Sequence, residues 1–339
     1  MKRNILILIL TLGLLLSACS PEAPAVPASS QEPEPASPSE TIATTEATQA
    51  PTPDLFEEPI PETMTFTDDL GHTIELDGYP QAIVSLSAST TEILFAIGAG
   101  DQVVGRDEYS LYPEEALQVT SIGAMWEELP AEAILALEPD LVVAAQIISE
   151  DQVQTLRDLG LNVYWQSNPT SYEGLFENLR DMARLTGHEA ETETLIADLD
   201  ARVKAVREKT INVPEFPSVF YELDATDPSN PWTAGSGTFI DYIISQAGGM
   251  NAAAALEGEY AQISSEQLIA VNPDIILLAD APYGTTSESV AARPGWDVIT
   301  AVKENALYPI DPNMMSVPGP RLVNALEETA RLLHPELFE

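Results

Sequence analysis

The feature that most constrains the fold is a short pattern that occurs twice, in residues 132–143 and 266–277. Each copy opens with a glutamate, continues with apolar residues, and passes through Pro-Asp into an apolar, largely β-branched run. This pattern predicts a short helix that ends before the proline and a buried strand that follows it. Glu132 and Glu266 are 134 positions apart, as are Pro139 and Pro273. Although the phrase is common in α/β proteins and a chance match is the alternative, the repeat predicts two lobes of similar α/β build.

Between the two copies lies a stretch, 171–212, in which apolar residues recur at helical spacing. They form two runs, Leu175, Leu179, Met182 and Leu185, and then Leu195, Leu199, Val203 and Val206. Gly187 and His188 can end the first run. Acidic residues begin the second run and basic residues end it, which is the order that the helix dipole favours. We therefore predict one long helix over 171–212 that connects the lobes.

Strand and helix patterns alternate along the rest of the chain, which predicts an α/β fold with mainly parallel sheets. The expected domains are an N-terminal lobe over 63–170 and a C-terminal lobe over 213–339. Residues 64–76 have the alternation of an entry hairpin. Residues 231–237, which include Trp232, read as a turn-rich loop.

The amino terminus has the pattern of an export signal. Lys2 and Arg3 precede an apolar run over 5–16 that is too short to span a bilayer. Residues 16–19 then resemble a bacterial lipobox, which implies a lipoprotein signal peptide over 1–18 and lipidation of Cys19. A plain signal peptide and an N-terminal anchor helix are the alternatives. Residues 19–62 are rich in Pro, Ala, Ser, Thr and Glu, and we expect a disordered acidic tether there.

Composition excludes several classes of function. The net charge of −40, with 14 basic against 54 acidic residues, argues against nucleic-acid binding, which needs clustered cations. One cysteine and three scattered histidines give no basis for a metal site or an internal disulfide. No hydrolase or phosphate-binding motif is present. A protein that docks on this surface should present basic residues.

Six blocks of the sequence carry a resemblance to known proteins: 83–98, 104–116, 137–142, 232–237, 292–296 and 318–323. Together they resemble the cobalamin and iron-siderophore class of periplasmic binding proteins, which serve ABC importers. The resemblance covers residues 64–339. It implies two α/β lobes bridged by a long helix, with the ligand held between the lobes. Because a helical connection permits only small movements of the lobes, we expect modest closure on binding.

The resemblance also implies a docking role for the two repeated glutamates. In this family one glutamate on each lobe, placed as Glu132 and Glu266 are here, meets arginines of a permease dimer, which works with ATPase subunits. Exposed carboxylates suit such charge-assisted pairs. The alternative is that both glutamates only stabilise the first turn of a helix, and Ser264 with Gln267 does have the spacing of a capping box.

Alignment with the cobalamin binders places aromatic residues in the cleft at Tyr109, Trp126 and Tyr260. Trp126 and Tyr260 each precede their repeated glutamate by six positions, so one aromatic from each lobe could grip a flat macrocycle; ordinary core packing is the alternative. Weaker candidates are Trp232, Met314 and Met315. Arg106 is the one conspicuous cation expected near the cleft, and Trp296 reads as structural.

These residues favour a corrinoid over a ferric siderophore or haem, because anionic chelates are usually met by arginine or lysine in this family. Ala145 is a departure, since cobalamin binders can carry tryptophan there. The sequence thus predicts a monomeric, lipid-anchored binding protein on the extracytoplasmic face of the membrane, with no catalytic residues, no metal of its own and no cofactor. An enzyme on the same scaffold and a surface adhesin are the alternatives.

Overall fold

The computed structural model describes residues 63–126 and 129–339. The predicted signal peptide, Cys19 and the predicted tether lie outside these residues. Within the described part, no helix combines the length and the apolar character that crossing a bilayer requires.

The N-terminal lobe is built on a five-stranded parallel sheet with the strand order β5-β4-β3-β6-β7. A small antiparallel hairpin, β1 with β2, precedes this sheet, as predicted. The strands are β1 Met64–Thr67, β2 Thr73–Leu76, β3 Ile83–Ser85, β4 Val103–Arg106, β5 Thr120–Ser121, β6 Leu141–Ala145 and β7 Val163–Gln166. The helices are α1 Ala88–Ala96, α2 Ala131–Leu135 and α3 Glu150–Asp158.

Two helices, α4 Tyr172–Thr186 and α5 Glu189–Thr210, lead into the C-terminal lobe. The prediction of a single helix over 171–212 was wrong. Gly187 caps α4 in the left-handed conformation, with φ of 82°. A Cβ atom at this position would lie 2.8 Å from the ring of Tyr79, so the chain turns closely under that ring and restarts as the 22-residue α5.

The C-terminal lobe contains a four-stranded parallel sheet with the order β10-β8-β12-β13 and a separate antiparallel pair, β9 with β11. The strands are β8 Ser218–Glu222, β9 Trp232–Ala234, β10 Met250–Asn251, β11 Tyr260–Gln262, β12 Ile275–Leu278 and β13 Leu307–Pro309. The helices are α6 Phe239–Gln246, α7 Ser265–Val271, α8 Ser287–Ala291, α9 Thr300–Lys303, α10 Pro312–Ser316 and α11 Leu322–Leu333. The predicted loop over 231–237 therefore contains a strand, because three residues are too few to show alternation.

The repeated pattern forms equivalent structures in the two lobes. It becomes α2 followed by β6 in the first lobe and α7 followed by β12 in the second. The aspartate after the proline has the same role in both copies. Asp140 accepts hydrogen bonds from the backbone N–H groups of Gln81 and Ala82, and Asp274 accepts one from Ser218. Each aspartate thus ties its strand to the start of the neighbouring strand.

One apolar cluster continues from the N-terminal lobe into the C-terminal lobe. Its buried side chains come from α1, β3 and β6, from α4 and α5, and from β8, β12 and α11. Each lobe also has a cluster of its own, on the side of its sheet away from this shared core. Trp296, which reads as structural in the sequence, is fully buried in the C-terminal cluster. The lobes are therefore joined by packed side chains as well as by the chain itself.

Replacing Gly187 with alanine should destabilise the protein because the new Cβ atom would meet the Tyr79 ring as well as a strained backbone. We expect the free energy of unfolding to fall by roughly 2 kcal/mol or more. Gly160 is the matched control: its φ is also positive, at 87°, but no atom lies within 4 Å of the added Cβ. Gly160→Ala should cost only about 1 kcal/mol. Equal losses for the two variants in urea unfolding would contradict the close turn under Tyr79.

Candidate ligand cleft

Loops from both lobes meet at a cavity of about 140 Å³, which we call the interlobe cavity. The N-terminal lobe contributes residues that follow β6 and β7, where parallel strands present their carboxyl ends. Open α/β sheets bind ligands at this edge. The lining residues include Gln146, Asn168 and Thr170 from the first lobe and Thr238, Tyr260 and Ser316 from the second. The predicted cleft between the lobes is therefore present.

The N-terminal wall of the cleft carries a stacked pair of aromatic rings. The ring centroids of Tyr109 and Trp126 are 4.1 Å apart and the ring planes are tilted by 33°. The backbone N–H of Tyr109 donates a 2.9 Å hydrogen bond to Asp107, which holds the tyrosine at the carboxyl end of β4. With Leu86, Met125 and Ile147 the two rings line a pocket of about 320 Å³, the N-wall pocket.

Tyr260 lines the interlobe cavity from the C-terminal lobe, and Trp232 lies on the strand paired with it, outside the lining of either pocket. In the antiparallel pairing of β9 with β11, Trp232 lies opposite Gln262 and Tyr260 lies opposite Ala234. Residues opposite each other or two apart share one face of a sheet, so the two aromatic side chains are diagonal neighbours on the same face. Burial raises the pKa of the Tyr260 hydroxyl, and the Glu259 carboxylate raises it further. The hydroxyl therefore keeps its proton at neutral pH and can donate a hydrogen bond.

The linings of the two pockets contain residues that are neighbours in the chain. Gln146 lines the interlobe cavity, and Ile147, the next residue in the chain, lines the N-wall pocket. The four aromatic side chains are only partly covered: Tyr109 is 46%, Trp126 59%, Tyr260 51% and Trp232 42% exposed. Side chains this exposed are not part of the packed core, and Tyr109, Trp126 and Tyr260 also line the two pockets, so these three residues are candidates for ligand contact.

The remaining ligand candidates have different positions. Arg106 is buried, and its guanidinium donates hydrogen bonds to the backbone carbonyls of Ala116, Asp107 and Glu108. The expectation of a cleft cation at this position is corrected, because Arg106 lines neither pocket and its Nε and Nη1 groups are directed to these carbonyls. Met315 is buried but lines the interlobe cavity. Met314 is half-buried and packs against the shared core.

Acidic rather than basic side chains line the cleft. Asp107 lines the N-wall pocket and Glu259 lines the interlobe cavity, whereas neither lining includes a lysine or arginine of 63–126 or 129–339. Arg321 lies between Pro318 and Leu322, which both line the interlobe cavity, but its guanidinium forms an ion pair with the buried carboxylate of Glu92. The described cleft therefore offers aromatic faces and hydrogen-bonding groups, but no free cation for an anionic ligand.

Glu132 and Glu266 have equivalent positions on the two lobes. Each is the second residue of its helix, and both side chains are exposed. In each lobe this helix leads into the next parallel strand and therefore runs antiparallel to it. The first turns of α2 and α7 thus lie near the carboxyl ends of the strands, at the edge of each sheet that faces the cleft. Ser264 and Gln267 do form a capping box around Glu266, while Pro130 gives α2 no side-chain cap. Within the described residues neither glutamate has an ion-pair partner.

Sequence reasoning missed some residues at the cleft. Ile147 is 68% exposed in the N-wall pocket, and its position two residues after the buried apolar strand β6 is the available signal. The contact between Glu92 and Arg321 joins residues 229 positions apart. Both belong to blocks that carry the family resemblance, yet nothing local in the sequence indicates that they pair.

Comparison with known proteins gives consistent matches over most of the chain. The model of a family described as periplasmic binding protein matches residues 83–314. An uncharacterized ABC transporter substrate-binding lipoprotein of Bacillus subtilis, YvrC, is 32% identical over 281 residues, which cover 81% of this chain and 87% of YvrC. A cobalamin-binding protein of Halobacterium salinarum is 30% identical over 278 residues, covering 80% of this chain and 74% of that protein. Among solved structures, the periplasmic haem-binding protein RhuT of Roseiflexus sp. RS-1 has a TM-score of 0.68 at 28% identity, covering 77% of this chain and 100% of RhuT.

The stacked pair of the N-terminal wall should be energetically coupled. Stacked or tilted aromatic pairs contribute about 0.5–1.5 kcal/mol beyond their separate burial. In a double-mutant cycle of Tyr109→Ala, Trp126→Ala and the double variant, urea unfolding should give a coupling free energy of about 1 kcal/mol. Costs that simply add would show that the two rings do not support each other in solution.

Proposed function

This chain belongs to the periplasmic binding protein family, and from that premise we propose that it is a lipid-anchored extracytoplasmic protein that captures cobalamin or a related corrinoid. It then delivers the ligand to an ABC importer. No bond of the ligand is made or broken; the work consists of selective binding followed by docking. Cys19 is the proposed lipid anchor, supported by the lipobox pattern and by the lipoprotein name of the Bacillus subtilis relative.

The observation that carries the corrinoid proposal is the pair of aromatic walls without a free cation in the described cleft. Tyr109 with Trp126 on one lobe and Tyr260 on the other line the pockets and can contact a flat, largely neutral macrocycle on two sides, and Trp232 lies on the strand next to Tyr260. A buried anionic group needs a cationic or hydrogen-bonding partner. The described lining instead presents Asp107 and Glu259. The cobalamin-binding relative supports the same ligand class.

Haem or a ferric siderophore is the second candidate. The structural similarity to the haem-binding RhuT favours haem, since the relation covers that whole chain at 28% identity. Tyrosine hydroxyls in the cleft could contact an iron chelate. The carboxylates of haem and the charges of ferric catecholates would, however, lack a basic partner among the described lining residues.

Ligand binding should depend on both aromatic walls. We expect Trp126→Ala and Tyr260→Ala each to weaken cyanocobalamin binding by roughly ten- to a hundredfold, as measured by isothermal titration calorimetry. Phe216→Ala is the matched control, because Phe216 is also an exposed aromatic residue but precedes β8 at the opposite edge of its sheet. The three variants should keep the melting temperature of the parent protein within a few degrees.

The ligand class is decided by parallel titrations of the parent protein with cyanocobalamin, haemin and a ferric catecholate. Tighter binding of cyanocobalamin supports the corrinoid. If haemin or the catecholate binds more tightly, and this binding is lost in the Trp126 and Tyr260 variants, the proposed binding site is supported but the proposed corrinoid ligand is wrong. Binding of none of the three would contradict the proposal.

Docking should depend on the two repeated glutamates and not on the cleft. We expect the double variant Glu132→Lys with Glu266→Lys to abolish uptake of the ligand by cells while leaving its binding constant within about twofold of the parent. The double variant Glu191→Lys with Glu304→Lys makes the same charge change at exposed sites outside α2 and α7 and should transport normally. Loss of uptake in both double variants would point to net charge and contradict docking by α2 and α7.

A further inference from the structure

Several ion pairs stabilise the described chain, and three of them have a fully or nearly fully buried carboxylate. The pair of Asp68 with Arg157 lies within the N-terminal lobe, and the pair of Glu222 with Arg293 lies within the C-terminal lobe. The third joins Glu92 of α1 to Arg321, which precedes α11. Of these three pairs, only the third connects the two lobes.

Both oxygens of the Glu92 carboxylate are used in this contact. One oxygen accepts a hydrogen bond from the backbone N–H of Arg321, with an N···O distance of 3.0 Å. The other accepts one from the Nε–H of the same arginine, at 2.7 Å. The guanidinium also lies over the ring of Tyr112, 4.0 Å from the ring centroid. A Cβ atom on Gly319 would lie 2.7 Å from the carboxylate, so the glycine lets the loop approach. The carboxylate is thus clamped by one loop of the opposite lobe.

The pair connects elements that line the two parts of the cleft. Ser87 and Ala88, at the start of α1, line the N-wall pocket. Pro318 and Leu322, on either side of the Arg321 loop, line the interlobe cavity. Loss of the contact between Glu92 and Arg321 would therefore change the distance and the orientation between the two walls of the cleft.

Stability alone gives little reason for this pair. Burial raises the pKa of Glu92, and this effect outweighs the lowering by the charge and hydrogen bonds of Arg321; Asp311 raises the pKa as well. The ionised carboxylate is thus costly to bury. Replacing a buried ion pair with apolar side chains is often neutral or stabilising, so the value of such a pair can lie in geometry.

We propose that Glu92 and Arg321 are positioning residues that fix the spacing of the two cleft walls and so preorganise the site for a flat ligand. The proposal rests on the proposed function for its ligand, although the spacing itself can be measured without one. Glu92 touches no lining aromatic; it acts through α1 and through the 318–322 loop. Preorganised walls bind a rigid ligand more tightly because less ordering is left to occur on binding.

The test compares Glu92→Gln with Glu222→Gln. Both substitutions remove a buried carboxylate charge from an arginine, but only the first affects a pair between the lobes. Spin labels at Leu159→Cys and Val298→Cys, which are exposed positions on the two lobes, report the interlobe distance by double electron-electron resonance. The full-length chain carries Cys19→Ser so that only the introduced thiols are labelled.

We expect Glu92→Gln to broaden the interlobe distance distribution and to weaken cyanocobalamin binding by about tenfold, whereas Glu222→Gln changes neither. Gly319→Ala displaces the Glu92 carboxylate without removing a charge and should act in the same direction, which keeps the test open if Glu92→Gln does not fold. Unchanged distances and affinity in Glu92→Gln and Gly319→Ala, or equal changes in Glu222→Gln, would overturn the proposal. If the parent binds neither cyanocobalamin nor haemin, the proposed function fails, while the distance measurement still decides the role of the pair.

Discussion

The apolar core that both lobes share is the constraint on which the cleft depends. Side chains of β3 and β6 on one side and of β8 and β12 on the other pack into the same cluster, with α4, α5 and α11 between them. The hydroxyl of Tyr172 also donates a 3.2 Å hydrogen bond to the carbonyl of Leu322 across this core. Close-packed interiors resist sliding, so the lobes can approach or separate only a little without loss of packing.

Much of this arrangement follows from the sequence. The repeated phrase predicts two equivalent helix-strand units, and the aspartates that follow the prolines show why the phrase recurs: Asp140 and Asp274 fasten equivalent strands in the two sheets. Hydrophobic periodicity and local hydrogen-bonding chemistry are enough for these predictions, because each depends on neighbours in the chain. The expectation that Trp126 and Tyr260 contact the ligand rests instead on the family resemblance, with which their six-residue offset from the two glutamates agrees.

The failures have a common physical cause. The guanidinium of Arg106 hydrogen-bonds to backbone carbonyls that come close to it only when the chain after β4 has folded. Gly187 could be seen to end a helical run, but its close approach to the ring of Tyr79 is a contact between residues distant in sequence. The pairing of Glu92 with Arg321 is likewise a long-range contact. The charge of a residue and its place in a hydrophobic pattern indicate which kind of contact it can form. The tertiary fold determines which residue is its partner.

The proposed cleft would select its ligand by shape and by the absence of a compensating charge as much as by attraction. Arg321 directly precedes the lining residue Leu322 and is paired with Glu92, so an anionic chelate that used this cation would have to displace that contact. The most direct measurement is a crystal structure of the protein with cyanocobalamin. We expect the corrin ring to lie between the Tyr109 and Trp126 pair and Tyr260, with the Glu92 to Arg321 contact intact. A corrinoid bound outside the cleft, or a cleft that must break this contact to admit it, would contradict recognition by two preset walls.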